Sequence, residues 1–359
     1  MNGGSSMPIR VLIVDDSALI RQLLTAILGG DREIEVVGVA PDPIAARDKI
    51  KALNPDVLTL DIEMPRMDGL SFLEKLMALR PMPVVVVSTL TQKGADAALR
   101  ALELGAVDYV AKPLSDIREG VSALGGELIA KVKAAAGARI SARSRGQSAR
   151  KPHVFDHRLS TEGRLVAVGA STGGVEALQE LFTALPANIP ATLVTQHMPA
   201  GFTACFAKRL DERCAMTVTE AADGVRVLPG HVYIAPGNRH LELVRSGAHY
   251  FCHLHDGPPV SGHRPSVDVL FNSFAAVAGK NAIGVILTGM GSDGAAGLLK
   301  MRQAGARTMG QDEASCLIYG MPKVAKRFGG VEAEFPLSKL PQEILACASS
   351  PSAKSEATR

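Results

Sequence analysis

Apolar residues in this chain come in short bursts, each followed by a stretch where they recur every three to four positions. Ile9 to Val14, Glu35 to Val39, Val57 to Leu60, Val84 to Val87 and Val107 to Val110 are bursts of this kind and predict buried strands. Ser17 to Leu28 and Leu70 to Leu79 carry the helical period between them. Parallel strands need a crossover between them, usually a helix, so this alternation predicts a parallel sheet covered on both faces. The rhythm resumes later. Leu165 to Val168, Ala191 to Thr195 and Ala282 to Leu287 predict strands, and Val175 to Leu185 predicts a helix. Leu241 to Val244 and Tyr250 to Leu254, separated by a Ser246-Gly247 turn, predict an antiparallel hairpin. The second half is therefore expected to be a doubly wound, mostly parallel α/β sheet domain with one hairpin.

Composition narrows the class. A chain of 359 residues, 47% apolar, suits two globular domains. No apolar run approaches the roughly 20 residues of a membrane span. Met1 to Arg10 lacks a basic segment leading into an apolar one, so no signal peptide is expected. Cys205, Cys214, Cys252, Cys316 and Cys347 form no C-x-x-C pair, which suits reduced thiols. A cytoplasmic location and no membrane insertion are expected.

The net charge of +3 is small, but Arg139, Arg143, Arg145, Arg150 and Lys151 fall in an acid-free stretch rich in small residues. That stretch reads as a flexible linker. It lacks the aromatic residues on which bases stack, so nucleic acid is not an expected partner. The expected organisation is a domain over 8–131, a basic linker over 132–160, a second domain over 161–347 and a disordered tail over 348–359.

Chemistry gathers at the ends of the predicted strands, where open parallel sheets place their working groups. Asp15 and Asp16 follow the first strand and Asp61 the third; Ser88 ends the fourth, and Lys112 follows the fifth. Converging carboxylates repel unless a cation sits among them, and an all-oxygen set selects a hard ion such as Mg²⁺. Asp61 can then attack a phosphoryl group and become an aspartyl-phosphate, with Ser88 and Lys112 on the phosphoryl oxygens. Individually these residues have plainer readings; Asp16, for example, could simply cap the following helix. Together they resemble the response-regulator receiver family, most specifically through Asp61 to Gly69 and Tyr109 to Pro113. The resemblance implies a flavodoxin-like (βα)5 fold phosphorylated at Asp61. It implies Mg²⁺ on Asp16, Asp61 and the Glu63 carbonyl, with Asp15 acting through water. Tyr109 is implied as the aromatic residue that reports phosphorylation.

In the second half, Gly169-Ala170-Ser171-Thr172-Gly173-Gly174 joins a strand to a helix and contains G-x-S-x-G. A glycine turn of this sort can expose a nucleophile or cradle a phosphate. His197 and Asp293, each just beyond a predicted strand on the same sheet edge, favour the nucleophile. A dinucleotide fold would place an acid about 20 residues past the glycines; Thr195, Gln196 and His197 stand there instead. Acyl transfer is the expected chemistry, with the Met290 N–H as first oxyanion donor and that of Thr172 as second. The order Ser, His, Asp is not that of the ordinary α/β-hydrolases.

These segments resemble the catalytic domain of the chemotaxis protein-glutamate methylesterases and protein-glutamine glutaminases, the CheB family. Gln196 to Phe202, Ile234 to Asn238, His263 to Asp268, Leu287 to Gly294 and Gln311 to Pro322 add to the match. It implies hydrolysis of glutamate γ-methyl esters, and deamidation of glutamines, on methyl-accepting chemoreceptors. The esterase needs no cofactor on this reading, a histidine kinase is the phosphodonor, and a monomer is expected. The resting receiver is expected to cover the triad until Asp61 is phosphorylated.

Two further features carry alternatives. His249, His253 and His255 share one face of a predicted strand and could hold a metal or be polar strand residues. His263 to Ser266 opens a helix whose first N–H groups could bind substrate carboxylates, or which could be an ordinary cap with Pro265 in its first turn. A receiver fused to a phosphate-binding module is the main rival function. A DNA-binding regulator is disfavoured, since no helix-turn-helix pattern is present.

Overall fold

The computed structural model describes residues 7–64, 68–89, 91–112, 117–139 and 163–349. The chain divides into two compact units, residues 1–146 and 147–359. Residues 65–67 of the Asp61 motif, Pro113, the cations Arg143, Arg145, Arg150 and Lys151, and residues 350–359 of the expected tail lie outside the described residues. Two ends differ from expectation. The helix Ile117–Ala136 continues past the expected start of the linker at 132, and the last helix runs through Ser349.

The first unit is built on strands β1 (Ile9–Val14), β2 (Ile34–Ala40), β3 (Val57–Asp61), β4 (Val84–Ser88) and β5 (Asp108–Ala111). They form one parallel sheet in the order β2-β1-β3-β4-β5. This is the flavodoxin-like order, in which the chain reverses direction across the sheet between β1 and β3. β3 and β4 are buried along their whole length, as near-continuous apolar strands between two helical layers must be. Ser17, not Asp16, caps the first helix: its side chain accepts from the Ile20 N–H.

The second unit holds strands β6 (Leu165–Ala170), β7 (Ala191–Gln196), β8 (Thr217–Glu220), β9 (His231–Ile234), β10 (His240–Ser246), β11 (His249–His255), β12 (Ala282–Ile286), β13 (Arg307–Gln311) and β14 (Ala333–Phe335). Seven of them form a parallel sheet in the order β14-β13-β12-β6-β7-β9-β8. β10 and β11 pair antiparallel as a separate ribbon. The chain leaves β6 toward β7 on one side and returns later as β12 on the other, so the strand order switches at β6 and a crevice is expected at the carboxyl ends of β6 and β12. The helix Val267–Val277 lies in the core between sheet and ribbon. Its Phe271 and Phe274 are fully buried with Leu165, Leu241, Cys252 and Leu298. Truncating either phenylalanine to alanine typically costs about 3–5 kcal/mol. This helix also carries the support of the candidate active site.

Candidate active site

Ser171 follows β6 on a turn that only glycine allows. Gly173 has φ +76 and starts the helix Gly174–Thr183, while the Gly174 N–H donates to the Ser171 carbonyl at 2.7 Å. The Ser171 N–H donates to the Thr288 carbonyl at 3.1 Å, tying the turn to the end of β12. Gln196 braces it from β7, its Nε2 donating to the carbonyls of Ser171 (2.9 Å) and His197 (3.1 Å). On the opposite wall a Cβ at Gly289 would collide with Met321 Sδ and lie 2.8 Å from Ser171 Cβ, so glycine keeps the nucleophile side open.

His197 follows β7, and its N–H donates to the Ala170 carbonyl at 3.1 Å. Its Nδ1 lies 3.1 Å from Ser171 Oγ and its Nε2 2.8 Å from Asp293 Oδ2. One imidazole therefore bridges the hydroxyl and the carboxylate. With the proton on Nε2 facing Asp293, the Nδ1 lone pair faces the Ser171 hydroxyl. The imidazole of His263 stacks on the His197 ring, with centroids 3.7 Å apart and planes inclined by 10°.

Asp293 is buried and heavily solvated by the protein. Oδ1 accepts from Ser266 Oγ (2.8 Å) and the Asp268 N–H (2.9 Å); Oδ2 accepts from the Val267 N–H (2.7 Å) as well as from His197. Burial pushes this carboxyl up, but the His197 bond and charge, the Asp268 N–H and the Ser266 hydroxyl outweigh burial and hold it below the usual carboxylate range. Neighbouring Asp268 goes the other way: burial raises it, with the Asp293 charge adding to the effect. The N-terminal donors of the helix Val267–Val277 are thus spent on Asp293, and the expectation that they bind substrate carboxylates is corrected. Pro265 is corrected too, since it precedes the Ser266 cap instead of sitting in the first turn. The Met290 N–H makes no hydrogen bond among the described residues. Thr172 is buried beside the turn, its carbonyl accepting from Thr288 Oγ1 at 3.0 Å.

A family model for CheB methylesterase matches residues 166–344, and one for the response regulator receiver domain matches residues 11–124. The protein-glutamate methylesterase/protein-glutamine glutaminase 1 of Geobacter metallireducens is 56% identical over 356 residues, spanning 95% of this chain and 96% of its own. The corresponding Pectobacterium atrosepticum protein is 59% identical over 340 residues, spanning 94% and 96%. The chain belongs to the CheB methylesterase family. The crystal structure of the Thermotoga maritima CheB methylesterase catalytic domain aligns with a TM-score of 0.50 at 38% identity, covering 51% of this chain and 98% of that one.

The other half of this CheB-family chain gathers its acids as the strand-end pattern predicts. Asp15, Asp16 and Asp61 each offer an oxygen within 4.8 Å of the others. Lys112 Nζ lies 2.7 Å from Asp61 Oδ2 and 2.9 Å from Asp15 Oδ2. The buried Asp15 Oδ2 has that ion pair but no hydrogen bond of good geometry. Burial raises the Asp15 carboxyl, and the Asp61 charge raises it further against the pull of Lys112. Lys112, which burial alone would lower, is raised by Asp61 and Asp15. An all-oxygen cluster short of positive charge fits a hard divalent cation. Glu63 joins the site through its N–H, which donates to Asp61 Oδ1 at 3.0 Å. Ser88 Oγ donates to the Gly94 carbonyl at 3.1 Å. Tyr109 is buried, with Lys131 Nζ 5.0 Å from its ring centre.

The histidines of β11 do not converge. His249 meets Arg226, His253 meets Asp223 at 3.1 Å, and His255 lies 3.7 Å from Glu242. Among the described residues only the aspartate group has the spacing of a metal site, so polar strand positions are the better reading. Sequence reasoning gave no role to Gln196 and read His263 to Ser266 only as a possible substrate-binding helix start, missing the Ser266 bond to Asp293 and the His263 stack on His197. A polar cap directly before an apolar helix was the available signal for Ser266. A stacking contact between residues 66 positions apart in sequence leaves no periodic trace. Among the described residues no helix is long and apolar enough to cross a membrane.

Proposed function

We propose that Ser171, His197 and Asp293 form a catalytic triad that hydrolyses glutamate γ-methyl esters, and deamidates selected glutamines, on methyl-accepting chemoreceptors. The observation that carries this reading is the His197 ring joining Ser171 Oγ to a buried, hydrogen-bonded Asp293. Nδ1 takes the hydroxyl proton as Ser171 Oγ attacks the γ-carbonyl carbon. The oxyanion is held by the Met290 N–H, with the Thr172 N–H as second donor. The proton then passes to the leaving oxygen, and methanol departs from an acyl-enzyme; for a glutamine, ammonia leaves. Water attacks the acyl carbon with His197 again as base, restoring Ser171 and leaving a free glutamate. Asp293 keeps the Nε2 proton in place and stabilises the imidazolium.

The receiver half controls this activity. Asp16, Asp61 and the Glu63 carbonyl would hold Mg²⁺, with Asp15 acting through water, and the ion would supply positive charge around an incoming phosphoryl group. An Asp61 oxygen attacks the phosphorus of a phosphohistidine on a histidine kinase; the P–N bond breaks and the kinase imidazole leaves, while Lys112 and Ser88 take the phosphoryl oxygens. Tyr109 passes the change outward, and esterase turnover rises. A tenfold rise corresponds to about 1.4 kcal/mol. The enzyme works as a cytoplasmic monomer that binds no nucleic acid and does not insert into the membrane. Methanol release from methylated receptor, with and without a small phosphodonor, tests both halves. Wild type releases methanol faster with the donor; Ser171→Ala releases none under either condition. Release by Ser171→Ala would instead overturn the assignment of Ser171 as nucleophile.

A further inference from the structure

We infer that His263 is a positioning residue for the reaction, holding the plane of the His197 ring by stacking on its face. This rests on His197 being the base of the proposed triad. Hydrogen bonds to Ser171 and Asp293 pin the His197 ring at two edge atoms, Nδ1 and Nε2. Two in-plane edge bonds resist motion along the ring normal least, and a slip in that direction bends both bonds and carries Nδ1 out of line with the hydroxyl. A flat neighbour on the ring face removes that motion. The His263 imidazole, 3.7 Å away and within 10° of parallel, is such a neighbour.

The backbone around His263 is built to hold it there. Val260 and His263 exchange both backbone hydrogen bonds, at 3.0 and 2.9 Å, across Ser261 (φ 53) and Gly262 (φ 79). Two left-handed residues closing one such pair make a tight hairpin turn with little freedom. On the other side, Arg264 is clamped by the Asn238 side chain and by the carbonyls of Asp256 and Gly257. The same segment then delivers Ser266 Oγ and the N–H groups of Val267 and Asp268 to Asp293. One stretch of chain thus braces both the imidazole and its carboxylate. An aromatic face also favours a cation lying over it, and His197 becomes cationic as Ser171 attacks.

The test is steady-state methanol release from methylated receptor by the full chain carrying His263→Ala, His263→Leu or His263→Phe, with Ser171→Ala beside them. Loss of the flat face is expected to lower kcat on the order of tenfold in the Ala and Leu variants with KM within about twofold, since small misplacements of a base are costly. His263→Phe, which keeps a flat face, is expected to stay within about threefold of wild type. Thermal melting checks folding; if Ala melts early, the Leu and Phe pair, closer in bulk, decides. A raised KM with unchanged kcat would make His263 a substrate contact and overturn the inference. So would a Phe variant as slow as Leu, or an Ala variant as fast as wild type. An active Ser171→Ala would instead overturn the triad itself, whatever the His263 variants do.

Discussion

Each sheet buries an aspartate at its carboxyl edge, and the two are treated in opposite ways. Asp15 in the first unit faces Asp16 and Asp61, has an oxygen without a well-made hydrogen bond, and is pushed above the usual carboxylate range by burial. Asp293 in the second unit is also buried, yet it collects four hydrogen bonds, two from backbone N–H groups of a helix N-terminus, and is held below that range. Burial penalises both charges; the difference lies in what the chain supplies against it. The esterase edge is completed by its own backbone, so its carboxylate is charged and fixed before substrate arrives. At the receiver edge the only counter-charge within ion-pair distance of Asp15 and Asp61, among the described residues, is Lys112.

The sharpest way to break this contrast is at the completed site. Ser171→Ala is expected to lower methanol release on the order of 10⁴-fold or more, read as kcat on methylated receptor. Asp293→Asn is expected to follow with a loss on the order of 10⁴-fold, because the amide no longer holds the Nε2 proton of His197 in place. The same variant should lower stability at neutral pH. A carboxyl depressed in the fold contributes stability above its unfolded value, near 3.9, and loses it as pH falls through the folded value. The stability gap between Asp293→Asn and wild type in urea melts should therefore close at acid pH.

The incomplete site should respond more gently. Asp61→Asn is expected to abolish stimulation by a small phosphodonor, a loss of about tenfold relative to stimulated wild type, and chelation of divalent cations should do the same. The smallest effect has the opposite sign to that at Asp293. A carboxyl raised in the fold favours the native state only below its unfolded value and works against it as pH rises through the folded one. Asp15→Asn should therefore raise the receiver melting temperature at pH 7, in the absence of divalent cation, by about 2–6 °C. That gain should vanish at acid pH and shrink when Mg²⁺ is added, because the ion stabilises wild type more. A lower melting temperature for Asp15→Asn would break the comparison.

Much of this was legible before any coordinates. Strand bursts put Asp15, Asp61, Ser171, His197 and Asp293 on sheet edges because parallel sheets place strand ends in register, and periodicity reports strand ends well. Periodicity is silent on what happens beyond those ends. Nothing in the spacing reveals that His197 presents Nδ1, not Nε2, to Ser171, since that depends on a side-chain torsion. Nor does it reveal that the helix behind Ser266 points its donors at Asp293, which depends on packing the helix Val267–Val277 between sheet and ribbon. The short strands β8, β9, β13 and β14, of four, four, five and three residues, also escaped. Strands that short carry too few residues to establish a period.

The claim on which the rest depends is that Ser171 carries the acyl group. Rapid acid quench of wild type turning over methylated receptor, followed by mass spectrometry of the digested mixture, tests it directly. A receptor glutamyl group esterified to Ser171 is expected, appearing with the first equivalent of methanol and absent from Ser171→Ala. An adduct on any other residue, or a first turnover of methanol from Ser171→Ala, would contradict it.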